Sequence, residues 1–227
     1  MSFSEKVLQL KQDFDDVLEA GRKAEYDKFW DNYQNYGKRT YYFYAFATEH
    51  WNENTFKPKY DIQPTDAQGM FSSNYSRFDL VEHLNSLGIT LDFSKCKTFN
   101  SVFNGSQFIR IGVIDMSSCT ETNLYYCFRN SFIQTIDEWV VPSTPTTFTG
   151  VFQGASKLEN INVSGTIKVN GLDLSACPLT HESIMSFVNA LADTGGTTKT
   201  IKFGATNLAK LNDSEKAIAT QKGWTIT

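Results

Sequence analysis

Apolar residues near the start of the chain recur at alternating steps of four and three: Phe3, Val7, Leu10, Phe14 and Val17. That spacing places them on one stripe of an α-helix, an a/d seam of about two heptads. Residues 4–36 contain no proline and a single glycine, Gly21. The pattern therefore predicts one long helix, about 50 Å at a rise of about 1.5 Å per residue. Past Ala24 the stripe shifts to Tyr26, Phe29, Trp30 and Tyr33. Leu8 and Leu18 widen it beyond a narrow two-chain seam. Two readings stay open. The helix lies across the end of the following domain as a cap, or it forms a coiled coil that joins two or three chains through the five seam residues. Residues 37–69 then read as a short aromatic strand, Thr40 to Phe46, and a loop carrying Pro58 and Pro64.

From residue 70 helical spacing gives way to internal repetition. Leu91–Cys96, Ile114–Cys119 and Leu172–Cys177 share the pattern aliphatic-Asp-apolar-Ser-x-Cys. Asp92 and Asp115 are 23 residues apart, and a degenerate copy begins at Ile136-Asp137, a further 22 on. A second motif keeps the same phase: Met70-Phe71, Val102-Phe103, Cys127-Phe128 and Val151-Phe152. The last three phenylalanines are 25 and 24 residues apart and are followed by Ile109, Ile133 and Leu158. A unit of strand, turn and return segment cannot bury its apolar side alone. Stacked units share one core, with Phe, Leu, Ile and Cys in columns and parallel strands about 4.8 Å apart.

After the repeats, Thr180 is placed to N-cap a helix through Ile184, Phe187 and Leu191. Thr198 to Phe203 alternates like a strand. Asn212 and Glu215 stand in capping-box relation at the start of a second helix, and Lys222-Gly223 stops it before Trp224-Thr225-Ile226-Thr227. The expected fold class is α+β. It comprises an N-terminal helix over 1–36, an aromatic strand and linker over 37–69, a short irregular leucine-rich-repeat-like solenoid with a parallel β ladder over 70–178, and an αβ capping unit over 179–227.

The segments LDFSKC, IDMSSC and LDLSAC, with the phased pairs VF, CF and VF, resemble BspA-like leucine-rich repeats over roughly residues 70–178. Phe152 to Ile161 and the pair Val141-Pro142 match that pattern well. The closing phrase LNDSEKAIATQKGWTIT resembles the terminal unit of such proteins from gut bacteria and their phages, and residues 19–60 resemble a segment that precedes such repeats in prophage-encoded proteins. The resemblance implies a phage-particle or prophage setting and carries no activity.

Composition narrows the function classes. The chain has 227 residues, 41% of them hydrophobic, enough for a real core. A net charge of -4 argues against a nucleic-acid partner, which selects for a basic face. No apolar run of about 18 residues predicts a membrane-spanning helix. The amphipathic start lacks the basic and apolar regions of a secretory signal, so the expectation is synthesis in the cytosol. From there the chain goes into a virion if phage-encoded. Otherwise it is cytoplasmic or exported without a signal peptide. Four cysteines without a CxxC pair read as reduced.

Candidate chemistry is sparse. His50, His83 and His181 form no zinc or HExxH spacing, and no nucleophile elbow or Walker loop is present. Gly195-Gly196 in DTGGTTK joins a predicted helix to a predicted strand and reads as a turn. The aspartates Asp92, Asp115, Asp137 and Asp173 admit two readings: a carboxylate column about 5 Å in spacing able to hold Ca²⁺, or residues that bond their own turns. Cys96, Cys119 and Cys177 read as small buried apolar residues. Arg110, Tyr125, Tyr126, Arg129 and Trp139, with Glu138, combine the aromatic and arginine types that dominate binding faces. They are the candidate binding residues. No catalytic residue, metal or cofactor is assigned. The expected protein is a non-enzymatic binding or structural one that associates with itself, trimer included, and with other virion proteins or a host-surface protein or glycan, without membrane insertion; the alternative is a bacterial leucine-rich-repeat interaction module or adhesin-like scaffold that is not part of a virion.

Overall fold

The computed structural model describes residues 61–144 and 146–227, residues 53, 54 and 56–58, and seven positions among the first 39. The chain divides into two compact units, Met1–Arg39 and Thr40–Thr227. In the first, the described positions Gln9, Gln12, Asp13, Val17, Ala20, Gly21 and Ala24 are helical and exposed, and Gln9 Nε2 donates to Asp13 Oδ1 at 2.8 Å. Phe3, Val7, Leu10 and Phe14 lie outside the described residues, as does the strand expected over Thr40 to Phe46. Val17 is described and is 70% exposed.

The described residues of the second unit hold four short helices: α1 Leu80–Ser86, α2 His181–Ala190, α3 Ala205–Leu208 and α4 Asp213–Gln221. Eight strands accompany them: β1 Arg110–Asp115, β2 Asn123–Tyr125, β3 Thr135–Val140, β4 Thr147–Thr149, β5 Asn160–Ser164, β6 Leu172–Asp173, β7 Lys199–Lys202 and β8 Trp224–Ile226. Capping fixes three of the helices. The Asp79 carboxylate accepts from Glu82 N at 2.9 Å, Thr180 accepts from Ser183 N, and Asn212 with Glu215 completes a reciprocal capping box.

Two parts of the expected fold class are corrected. Among the described residues no helix exceeds the ten residues of α2, so no long N-terminal helix is among the elements seen. Nor do the strands form the one parallel ladder of a solenoid. Pairing is parallel, but it is divided among three separate sheets, β1-β3-β5, β2-β4 and β6-β7-β8. The reason lies in the irregular copies of the Asp-Ser motif. Leu91 bridges to Ile62, Ile114 pairs with Trp139, and Leu172 pairs with Ile201, so three similar hexapeptides serve three different places. The degenerate copy is also out of phase. Ile136 pairs with Ile111 and Glu138 with Val113, which leaves Asp137 level with Gly112, not with Asp115.

What does repeat regularly is a turn. Each is bracketed by two residues of positive φ four apart: Gly69 and Ser73, Ser101 and Gly105, Tyr126 and Asn130, Gly150 and Gly154. The middle residue of each is a buried phenylalanine. Phe71, Phe103, Phe128 and Phe152 stack nearly face to face, with centroids 5.3, 5.8 and 5.1 Å apart and interplanar angles of 10°, 10° and 16°. Gly150 is needed for this approach, because a Cβ there would sit 2.7 Å from a Tyr126 ring carbon.

Backbone bonds tie each turn to the next through alternate residues. Gly69, Phe71 and Ser73 donate to the carbonyls of Asn100, Val102 and Asn104 at 2.9, 2.8 and 2.7 Å. Ser101, Phe103 and Gly105 donate to Tyr125, Cys127 and Arg129 at 2.9, 2.8 and 2.7 Å. Tyr126, Phe128 and Asn130 donate to Thr149, Val151 and Gln153 at 3.0, 2.8 and 2.8 Å. The intervening N–H groups close the turns themselves, as Val102 does to Phe99 and Ser106 to Phe103.

The far edge of the β1-β3-β5 sheet is covered by α2. Ser183 Oγ accepts from Ile161 N at 2.9 Å, and Ser186 Oγ accepts from Val163 N at 2.6 Å. Two serines three apart on one helix face therefore satisfy two alternate donors of β5, which removes an open sheet edge.

Phe103 is fully buried with a ring on each face. We expect Phe103→Ala to lower unfolding free energy by about 3–5 kcal/mol, read by urea denaturation. A loss below about 1 kcal/mol would show the column to be dispensable. Ser183→Ala should cost about 1–3 kcal/mol through the unmet Ile161 donor, and an unchanged urea midpoint would mean that water replaces the hydroxyl.

Candidate functional site

Strand alternation sends Leu124 inward, fully buried, and Tyr125 outward, 45% exposed. Tyr126 follows at φ 56° and opens the third turn. The two rings lie 6.2 Å apart, and the Arg129 guanidinium stands 4.5 Å above the Tyr126 ring, a cation–π contact. The Arg129 Nε is buried and without an acceptor. Tyr125, Tyr126 and Arg129 thus come together.

The other candidates do not join them. Arg110, at the start of β1, is held by Asp137 through a two-pronged bond, Nε to Oδ1 at 2.7 Å and a terminal nitrogen to Oδ2 at 2.9 Å, with Asp79 at 3.8 Å. That bonding raises the guanidinium pKa further. Glu138 is half-buried on β3. Trp139 is fully buried and is corrected from binding residue to core residue. The register places it beside Ile114 and Val163, where it packs on Phe148, Phe152 and Phe187 and donates to Met116 Sδ at 3.2 Å.

Tyr126 also lines a cleft of about 420 Å³ that runs between the fourth turn, Gly150 to Gly154, and the stretch from Gly171 to Ala176. Across it Asp173, Ser175 and Ala176 are exposed. Burial pushes the Asp173 carboxyl up, but the bonds from Ser175 and the Lys202 ammonium at 3.0 Å outweigh it and hold the group below its usual range. The sequence carried two signals for this cleft: the Gly150/Gly154 spacing around Val151-Phe152, and the short polar stretch 162–170 where no further phased Phe appears.

The aspartates of the repeated hexapeptides are engaged structurally. Asp92, Asp115 and Asp173 each accept from the backbone N–H two residues on, at 2.8, 2.8 and 2.9 Å. They act as turn fasteners, and among the described residues no three His, Cys, Asp or Glu converge as metal ligands. Glu121, not foreseen from the sequence, is raised in pKa by burial and accepts from Phe99 N at 2.6 Å and from Asn100 Nδ2. His83 is buried against the Phe56 carbonyl, and His181 bonds Glu215 at 2.8 Å. His50 lies outside the described residues. Asp193 Oδ1 accepts from Gly195 N at 2.9 Å, so the DTGG segment is a turn between α2 and β7.

No helix among the described residues is long and apolar enough to cross a membrane. No family model, curated protein or solved structure matches the chain.

All four cysteines are free and buried. Burial pushes the thiols of Cys96, Cys119 and Cys177 up to about 12, 11 and 12, and Cys127 well above its ordinary value. Protonated thiols are poor nucleophiles. At pH 8 a chromogenic disulfide reagent should label none of the four in the folded chain and all four in urea. A thiol that reacts at the free-cysteine rate without denaturant would contradict the packing.

Proposed function

We propose that the chain is a non-enzymatic binding and structural protein, associated with a phage or prophage particle as a tail, receptor-binding or accessory component, that recognises a protein or a glycan. The observation that carries the reading is one exposed cluster. Tyr125 stands clear of the surface next to Tyr126 and Arg129, and Tyr126 continues into the cleft. Tyrosine supplies a large contact area at low conformational cost, and tyrosine and arginine dominate measured binding hot spots. The closing segment and residues 19–60, which resemble segments of phage and prophage proteins, support the particle setting. Self-association through Phe3, Val7, Leu10, Phe14 and Val17 belongs to the same proposal.

A glycan and cell-surface binding screen with the purified full chain tests recognition. We expect a ligand whose affinity falls at least about tenfold in Tyr125→Ala, the loss of a central aromatic contact. Retention of full affinity in that variant removes the cluster from the binding face. Mass spectrometry of purified particles tests the setting, and absence of the chain from them overturns it.

A further inference from the structure

In a ladder of repeated turns, the N–H groups of one turn meet the carbonyls of the next. Three turns in succession do this with three alternate donors each, nine bonds between 2.7 and 3.0 Å. The fourth turn presents the equivalent donors, Gly150, Phe152 and Gly154, and among the described residues none of the three meets an acceptor. By the direction of every preceding rung, these donors face away from the third turn, which is the side the cleft occupies. The same three residues line it.

Strand β4 leads directly into this turn and, among the described residues, pairs only with β2, so the open edge runs from Thr147 to Gly154. Two of the sheet edges are handled differently. Helix α2 covers β5 with Ser183 and Ser186, while the space beside the fourth turn is left as a cleft. An uncovered row of parallel-facing donors is a template for another chain.

Resting on the reading of a recognition protein, we propose that this cleft receives a polypeptide segment of a partner protein. The segment runs parallel to β4 and places carbonyls of alternate residues on the N–H groups of Gly150, Phe152 and Gly154. The occupant follows from the rungs already filled: the same donor triple, at the same spacing, binds peptide carbonyls three times within the chain. Side-chain selection in the cleft is weak. The Phe152 ring is already covered, with Phe128 stacked at 5.1 Å and Trp139 and Phe187 edge-on at 5.4 and 6.2 Å, so no slot awaits a fifth phenylalanine. Recognition is therefore mainly through the main chain, as in strand addition.

A displayed library of random twelve-residue peptides, panned on the full chain, tests this, with Ala176→Trp and Gln153→Trp as blocked variants. Both positions are exposed and line the cleft, and unchanged urea midpoints confirm that each variant folds. The expected result is a set of enriched peptides of varied sequence. They shift the backbone amide resonances of Gly150, Phe152 and Gly154 and lose at least about tenfold in affinity on both blocked variants. Failure to enrich any peptide, or enrichment of peptides that bind the blocked variants equally, overturns the proposal. Glycan binding that is lost on the blocked variants assigns the cleft to sugars and overturns it as well. A ligand sensitive to Tyr125→Ala but not to either blocked variant removes the cleft while leaving the recognition reading in place.

Discussion

Successive turns of this chain are held together by the requirement that buried backbone donors find acceptors. Each turn alternates its N–H groups. Half close the turn itself, and in the first three turns the other half reach the carbonyls of the turn 24 to 32 residues further along. That alternation fixes two residues of positive φ per turn. It also brings one phenylalanine from each turn into a common stack. Burial of the rings supplies the favourable term. The bonds set the register, since a one-residue slip would leave three donors unmet at every rung and move the rings off the stack.

The same requirement explains how the unit ends. A parallel arrangement must stop somewhere, and wherever it stops it leaves a row of donors or acceptors. At β5 the row meets two hydroxyls of α2, which are short enough to reach the strand and able to accept from its N–H groups. Strand β6, before α2, and strands β7 and β8, after it, build a separate small parallel sheet, closed by buried Trp224, whose indole donates to the Ala192 carbonyl at 2.7 Å. At the fourth turn nothing equivalent arrives among the described residues, because residues 162–170 are too short and polar to supply another Phe-centred turn. An edge that carries structural bonds elsewhere in the molecule there lines the cleft, beside exposed Tyr125 and half-buried Tyr126.

Much of this was legible in the residues. The spacing of Phe103, Phe128 and Phe152 announced a recurring unit, and Thr180, Asn212 and Glu215 announced helix starts where α2 and α4 begin. Other features were hidden for physical reasons. Three look-alike hexapeptides suggested one ladder, but a pattern of local residue types does not state which strand each copy meets, and they fall into different pairings. Trp139 was grouped with the candidate binding residues because aromatic and arginine types dominate binding faces, and residue type alone does not say which way a strand position faces. The register is set by apolar burial, which aligns Trp139 with Ile114. Helix α1 escaped notice because its seven residues are too few to show a period, although Asp79 and Glu82 carried its capping signal. The open edge could not be read at all, since it consists of backbone groups distinguished only by what fails to cover them.

Amide hydrogen exchange, residue by residue on the full chain, bears most directly on this picture. Slow exchange at Phe71, Phe103 and Phe128 and at their ladder neighbours, together with fast exchange at Gly150, Phe152 and Gly154, is the expected result. Protection of the last three equal to that of Tyr126, Phe128 and Asn130, or rapid exchange throughout the first three turns, would contradict it.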